Sequence, residues 1–303
     1  MADREIESVV VVGYGVMGAG IVRSFVGAGF RVSVVSRRAA RLWDLPAGVT
    51  ASAGFPAAAP DLVVETVEEE PAAKQAVYRA VEAAYPAATL IASNTSGLPL
   101  PDLAQGLRYP GRFLGIHWFQ PAEVFPMVEV VAGPAASRGT VDRAARAIAR
   151  TGKEPIVLYQ PVVGYVINRL QHTILHEAYH MIAEGIASAE TIDKVARNLL
   201  GPRMCVTGLV LQKDVGGLTV HALAQRSIVP TLDHTGTPNR LLQDMVARGE
   251  TGLDAGRGFY DWSGLDARKV REEAGARLRA VLDALAGMGG GQAPRCRGRE
   301  ELP

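Results

Sequence analysis

The apolar positions of this chain follow two regimes. Up to about residue 160 they form short β-branched runs separated by helical stretches. Residues 6–12, IESVVVV, end at Gly13 and predict a strand. Met17, Ile21, Phe25 and Val26 then recur at helical spacing and predict a helix over 16–28, closed by Gly27 and Gly29. RVSVV at 31–35 predicts the next strand. Strand, glycine turn, helix, strand is one βαβ unit, because parallel neighbours need a crossover. The alternation continues through strands at 61–67, 88–93, 112–119, 127–133 and 154–159, with helices at 71–84, opened by Pro71, and at 137–151. Such alternation predicts an α/β fold with a doubly wound, mostly parallel sheet.

Past residue 162 no strand pattern recurs. A long amphipathic helix is predicted over 165–184, with others over 189–200 and about 239–249. The expected organisation is a sheet domain over 1–161 and an all-α C-terminal domain over 162–285. A Gly-, Pro- and charge-rich tail, 286–303, is expected to be disordered.

Composition narrows the partners. With 32 basic and 31 acidic residues the net charge is +1, so no long-range field selects nucleic acid or an anionic membrane. No window approaches the ~18 uninterrupted apolar residues of a spanning helix, and MADREIESVV lacks the apolar core of a signal peptide. Cys205 and Cys296 make neither a disulfide framework nor a C-x-x-C pair. A reducing, cytoplasmic setting is expected.

The first strand and helix are joined by Gly13-Tyr14-Gly15-Val16-Met17-Gly18, which fits G-x-G-x-x-G in the strand–turn–helix context that gives the pattern meaning. Gly13 permits the tight turn, Gly15 lets backbone approach a pyrophosphate, and Gly18 lets the helix pack on the sheet. The expected fold is therefore Rossmann-like, with NADP or NAD as cofactor. The second strand ends in Ser36-Arg37-Arg38. A carboxylate there would bind the ribose 2′-hydroxyl of NAD; two guanidiniums and a hydroxyl instead favour the 2′-phosphate of NADP. The alternative is that the arginines solvate a surface loop or stack on adenine.

Seven segments in order carry a family resemblance: GYGVMGAGI (13–21), DLVVETVEE (61–69), SNTSGLPL (93–100), GIHWFQPAEVFPMVEVV (115–131), GYVINRL (164–170), LGP (200–202) and GRGFYDW (256–262). Together they resemble the 3-hydroxyacyl-CoA dehydrogenase family, including gulonate and carnitine dehydrogenase relatives. The resemblance implies catalytic roles for Ser96, His117, Glu129 and Asn168, and cofactor-side roles for Glu69, Lys74, Asn94 and Gln120. It also implies a homodimer through the helical domain and, as substrate, a small 3-hydroxy acid or its thioester. The chemistry needs such a set. A secondary alcohol can lose hydride only if a base takes its hydroxyl proton, and a histidine side chain titrates near neutrality. A carboxylate on the second ring nitrogen fixes the tautomer, and Ser96 and Asn168 can hydrogen-bond the substrate oxygen as charge develops. Glu129 interrupts the apolar run Met127–Val131, so burial demands a partner for it.

The chain departs from the family at three places. Gln120 stands where Asn is usual, Val163 where Pro is usual, and the crossover between Ser36 and Asp61 lacks the long helical insertion that helps hold CoA. A free hydroxy acid and a thioester held differently both remain open. Two other functions compete. His176-Glu177-Ala178-Tyr179-His180 satisfies H-E-x-x-H, with His172 one turn earlier, and would suit a zinc hydrolase. No third-ligand motif follows it, so no metal is expected, and the histidines are read as one face of a core or interface helix. A dinucleotide-binding protein without catalysis is the other alternative.

Overall fold

Four consecutive valines, Val9 to Val12, build a central strand of an eight-stranded sheet. The computed structural model describes residues 5–288. Its order through the first unit is β1 (Ser8–Val12), α1 (Val16–Gly27), β2 (Arg31–Val35), β3 (Thr50–Ser52), β4 (Leu62–Glu65), α2 (Pro71–Ala84), β5 (Leu90–Ser93), α3 (Leu100–Leu103), β6 (Phe113–His117), β7 (Met127–Ala132), α4 (Arg138–Arg150), β8 (Glu154–Leu158) and α5 (Ile167–Ala183). The boundary between the two units falls within α5, between Gln171 and His172.

The strands line up as β3-β2-β1-β4-β5-β6-β7-β8. Because β2 lies on one side of β1 and β4 on the other, the order reverses at β1, the position where open α/β sheets bind ligands. All pairs are parallel except β6–β7, which is antiparallel with His117 opposite Glu129. The period-2 alternation of a strand divides β1 between two apolar layers. Val9 and Val11 pack with Ile21 and Phe25 of α1 and Ile148 of α4. Val10 and Val12 pack with Tyr78 and Val81 of α2 and Leu103 of α3. Each such side chain contributes roughly 1.5–3 kcal/mol by leaving water.

The mostly parallel, doubly wound sheet is as the sequence predicts, and the 71–84 helix matches Pro71–Ala84. The short edge strand β3 is new: Thr50-Ala51-Ser52 carries too little apolar patterning to announce a strand.

The second unit is helical: α6 (Ala189–Val195), running on as a π-helix (Ala196–Leu200), α7 (Gly201–Thr207), α8 (Leu211–Gly216), α9 (Leu218–Ile228), α10 (Arg240–Ala247) and α11 (Ala267–Gly287). None of the residues of α6 to α9 is buried, and Val206, Val210, Val215 and Val220 stand 69–78% exposed. Among the described residues no helix is long and apolar enough to cross a membrane. Of the tail expected over 286–303, residues 289–303 lie outside the described residues, and Cys296 with them.

Candidate active site

Antiparallel pairing of β6 with β7 sets His117 directly across from Glu129. Their side chains meet at 2.8 Å, His117 Nδ1 to Glu129 Oε2, with His117 4% and Glu129 0% exposed. The other carboxylate oxygen, Oε1, accepts from the backbone N–H of Val166 (2.8 Å) and Ile167 (3.1 Å), at the head of α5. Glu129 is thus the buried carboxylate with a partner that its apolar strand demanded. An N–H on Nδ1 donating to Glu129 leaves Nε2 as the nitrogen open to chemistry. The rings of Phe119 (centroids 4.8 Å apart) and Tyr165 (5.3 Å) flank the imidazole.

A second chain of contacts ends at the same helix head. Asn168 Nδ2 donates to the Ser96 carbonyl at 3.0 Å. Ser96 N donates to Glu69 Oε1 at 2.8 Å, and the same oxygen accepts from the Thr95 hydroxyl at 2.5 Å. Glu69 Oε2 lies 3.1 Å from Lys74 Nζ. Burial disfavours ionisation of Glu69. The Thr95 hydrogen bond, the Lys74 charge and the Ser96 N–H outweigh it and hold the carboxyl below its ordinary range. Asn94, one residue past β5, accepts from Trp118 N at 2.9 Å, beside His117. The structure therefore brings Ser96, Asn168, Glu69, Lys74 and Asn94 around the end of the sheet where His117 and Glu129 lie.

Beneath them sits a polar network that sequence reasoning missed. Glu65, fully buried, accepts from Lys74 Nζ (2.9 Å), Val67 N (2.7 Å), the Tyr78 hydroxyl (2.8 Å) and the Ser93 hydroxyl (2.9 Å). Burial, then the neighbouring Glu65 charge, pushes the Tyr78 phenol well above its ordinary range. The signal was present: Glu65 ends an apolar strand, so its burial demands partners as that of Glu129 does. Tyr165 was also missed. It is 2% exposed, adopts φ +52° between Gly164 and Val166, and among the described residues its buried hydroxyl has no hydrogen-bond partner. Burial first, then Glu69, Glu129 and Glu65, drives its phenol upward.

The glycine turn fits a dinucleotide. Gly13 has φ +101°, and a Cβ there would stand 2.8 Å from the Thr66 carbonyl. A Cβ on Gly18 would stand 2.2 Å from the Gly13 carbonyl, so the helix packs only because no side chain intervenes. A Cβ on Gly15 would meet nothing within 4 Å. That glycine is not required by the protein's own packing, and its open side is where a phosphate could approach. Gly15 is the N-cap of α1, with no side-chain cap and no acidic residue in the first turn, so the helix N–H groups face outward unneutralised. Val16 is exposed, Met17 packs partly on the core, and the Tyr14 hydroxyl donates to the Asp44 carbonyl at 3.2 Å.

The other nominated residues make contacts of their own. Ser36 Oγ accepts from Arg38 N at 3.2 Å, and the exposed Arg37 guanidinium lies 3.7 Å from the Glu68 carboxylate. Gln120 is exposed at the cis Gln120–Pro121 peptide. In the second unit the H-E-x-x-H residues make a latch to the segment before α10. Glu177 accepts from Asp233 N at 2.8 Å, and Asp233 Oδ2 lies 3.2 Å from His176 Nε2 and 3.9 Å from His180 Nδ1. The backbone N–H of Thr235, more than either histidine, holds the Asp233 carboxyl below its ordinary range. Among the described residues no group of three or more His, Cys, Asp or Glu is arranged to hold a metal ion.

Two family models match the chain. One describes the 3-hydroxyacyl-CoA dehydrogenase NAD binding domain, over residues 47–161, beginning after the glycine turn. The other describes the 3-hydroxyacyl-CoA dehydrogenase C-terminal domain, over residues 164–262. The chain is 30% identical over 317 residues to L-carnitine dehydrogenase of Streptomyces griseus, covering 95% of this chain and 92% of that one. It is 28% identical over 227 residues to 5-formyl-3-hydroxy-2-methylpyridine 4-carboxylate 5-dehydrogenase of Mesorhizobium japonicum, covering 75% of this chain and 74% of the relative. A solved structure of a 5-formyl-3-hydroxy-2-methylpyridine 4-carboxylic acid 5-dehydrogenase, described as an NAD+-dependent dismutase, is similar with a TM-score of 0.86. Its identity is 25%, over 93% of this chain and 99% of that one.

Proposed function

The chain belongs to the 3-hydroxyacyl-CoA dehydrogenase family, and from that premise we propose that it oxidises and reduces the 3-hydroxy/3-oxo carbon of a small free acid. The observation that carries the reading is the 2.8 Å His117–Glu129 pair, anchored at the same helix head as Asn168. The dinucleotide, seated on Gly13, Gly15 and Gly18, supplies the hydride acceptor or donor. His117 Nε2 takes the substrate hydroxyl proton, and Glu129 stabilises the imidazolium through Nδ1. The Ser96 hydroxyl and the Asn168 amide donate to the substrate oxygen. In the reducing direction His117 returns the proton.

A free acid is favoured over a CoA ester by the shape of the crossover. Between β2 and β4 the crossover holds only a turn at Ala39–Arg41 and the three-residue β3, with no helical arm against which CoA could lie. The test is a panel of free 3-hydroxy acids, carnitine, sugar acids and hydroxyacyl-CoAs, each with NAD+ and NADP+. Turnover of a free acid at higher kcat/KM than any CoA ester supports the reading. Preference for an ester overturns the substrate class, and no change in nicotinamide absorbance with any substrate overturns catalysis.

For the cofactor we propose NADP, with Ser36, Arg37 and Arg38 around the 2′-phosphate. Each charge-assisted contact is worth about 1.5–3 kcal/mol. Arg37→Ala/Arg38→Ala is therefore expected to weaken NADP+ binding more than tenfold while leaving NAD+ within about twofold. Equal affinity of mutant and wild type for NADP+ would remove the clamp.

The exposed valines of α7 to α9 support a homodimer through the helical unit. The chain is expected to elute at twice its 32.1 kDa mass. Val210→Glu with Val220→Glu is expected to shift it towards the monomer; a monomeric wild type refutes the arrangement.

A further inference from the structure

The short crossover presents an indole. Leu42 and Leu45 pack partly against the apolar layer that contains α1, and Val49 joins them. The Tyr14 hydroxyl, from within the glycine turn, donates to the carbonyl of Asp44 at 3.2 Å. These contacts fix residues 42–49 as a strap across that layer, tied at its middle to the dinucleotide turn. Between the anchoring leucines Trp43 points outward, 92% exposed, whereas Trp118 is 2% exposed. Leaving an indole in water on an anchored strap forgoes a large apolar burial, a cost typical of a residue that meets a flat partner.

The position identifies that partner. A pyrophosphate at the head of α1 directs the adenosine half of a dinucleotide towards the end of β2. There the chain offers Ser36, Arg37 and Arg38 and, directly after the Ala39–Arg41 turn, the strap. The guanidiniums suit phosphate, and the exposed indole of Trp43 beside them offers the base a broad π face. We propose that Trp43 forms one wall of the adenine subsite, stacking on the purine of the bound dinucleotide. In this chain the strap then takes the place of the missing helical insertion and serves the cofactor rather than the substrate. The proposal rests on the dinucleotide reading given above.

The test uses the full chain and binding, not turnover. Wild type, Trp43→Ala and Trp43→Phe are titrated calorimetrically with NADP+, with NAD+, with adenosine 2′,5′-bisphosphate and with nicotinamide mononucleotide, and tryptophan emission is recorded in parallel. A stacked base is worth enough that Trp43→Ala is expected to bind both dinucleotides and the adenosine bisphosphate about tenfold more weakly. Trp43→Phe, which keeps a π face, is expected to stay within about threefold of wild type. Emission of the wild type is expected to be quenched by the adenine ligands, and Trp43→Ala to lose that response. Nicotinamide mononucleotide is expected to bind all three proteins alike.

Unchanged affinity of Trp43→Ala for the adenosine bisphosphate overturns the proposal while the dinucleotide reading stands. Failure of wild type to bind either dinucleotide overturns both. A change in the elution volume of Trp43→Ala with no change in adenine affinity assigns the indole to contact between chains and also overturns it.

Discussion

His117→Ala is expected to lower kcat/KM by roughly a hundred- to ten-thousandfold, the range that a positioned general base contributes. Dinucleotide affinity should stay within about twofold, because the glycine turn is a separate contact set. Glu129→Gln separates orientation from mere presence. The amide can still accept from Val166 and Ile167 through its oxygen, but its NH2 group then faces His117 Nδ1. Nδ1 must become the acceptor and the ring proton must move to Nε2, so the nitrogen proposed to act as base can no longer take a proton. A loss of kcat approaching that of His117→Ala, with circular dichroism and melting retained, is expected. An active Glu129→Gln enzyme would show that the pair is structural.

The largest loss of stability is expected from Lys74→Ala. Lys74 is 1% exposed and Glu65 is fully buried, so removing the ammonium leaves a carboxylate in the interior with only Tyr78, Ser93 and Val67 N–H for support. Breaking a buried pair in this way costs about 3–5 kcal/mol, readable as a lower midpoint in denaturant. The double variant Glu65→Gln/Lys74→Met should recover part of the loss, since no buried charge is stranded. Glu69 adds a pH signature. Its folded carboxyl sits below the ordinary range, in part because of Lys74, so its stabilisation is present at neutral pH and fades as pH falls through the carboxylate region. Lys74→Ala should therefore flatten the acid limb of the stability curve. A midpoint within a few tenths of a kcal/mol of wild type would show that the network is already hydrated.

Much of this architecture is legible in the sequence because its determinants are local. The run of valines at 9–12, the Pro71 helix start and the 13–18 glycine pattern each act over a few neighbouring residues. His117 and Glu129 could be paired because they sit on adjacent predicted strands, yet their facing register depends on β7 running antiparallel, which no residue announces. Glu65 escaped notice because its four partners come from β5, α2 and a backbone turn, a convergence only the folded chain creates. Helix α11 escaped for the opposite reason. Its first half is dominated by charge, with Val270 the one large apolar residue before Leu278, and it is supported by the Asp266 cap and i,i+4 pairs such as Arg268–Glu272, so the apolar positions that would announce a helix gather only in its second half. The positive φ of Tyr165 ran against expectation too, since only glycine takes that conformation freely.

The shared duty of Glu129 bears on how the protein can be dissected. A recombinant fragment ending at residue 161 would keep every strand of the sheet but would discard the two N–H groups that restrain one oxygen of that carboxylate. Its histidine would be present and its tautomer unguarded. A fragment extended through Gln171 keeps both donors and the Asn168 side chain. The ten residues 162–171 therefore decide whether a minimal version of this sheet keeps the restrained His117–Glu129 pair or only the glycine turn.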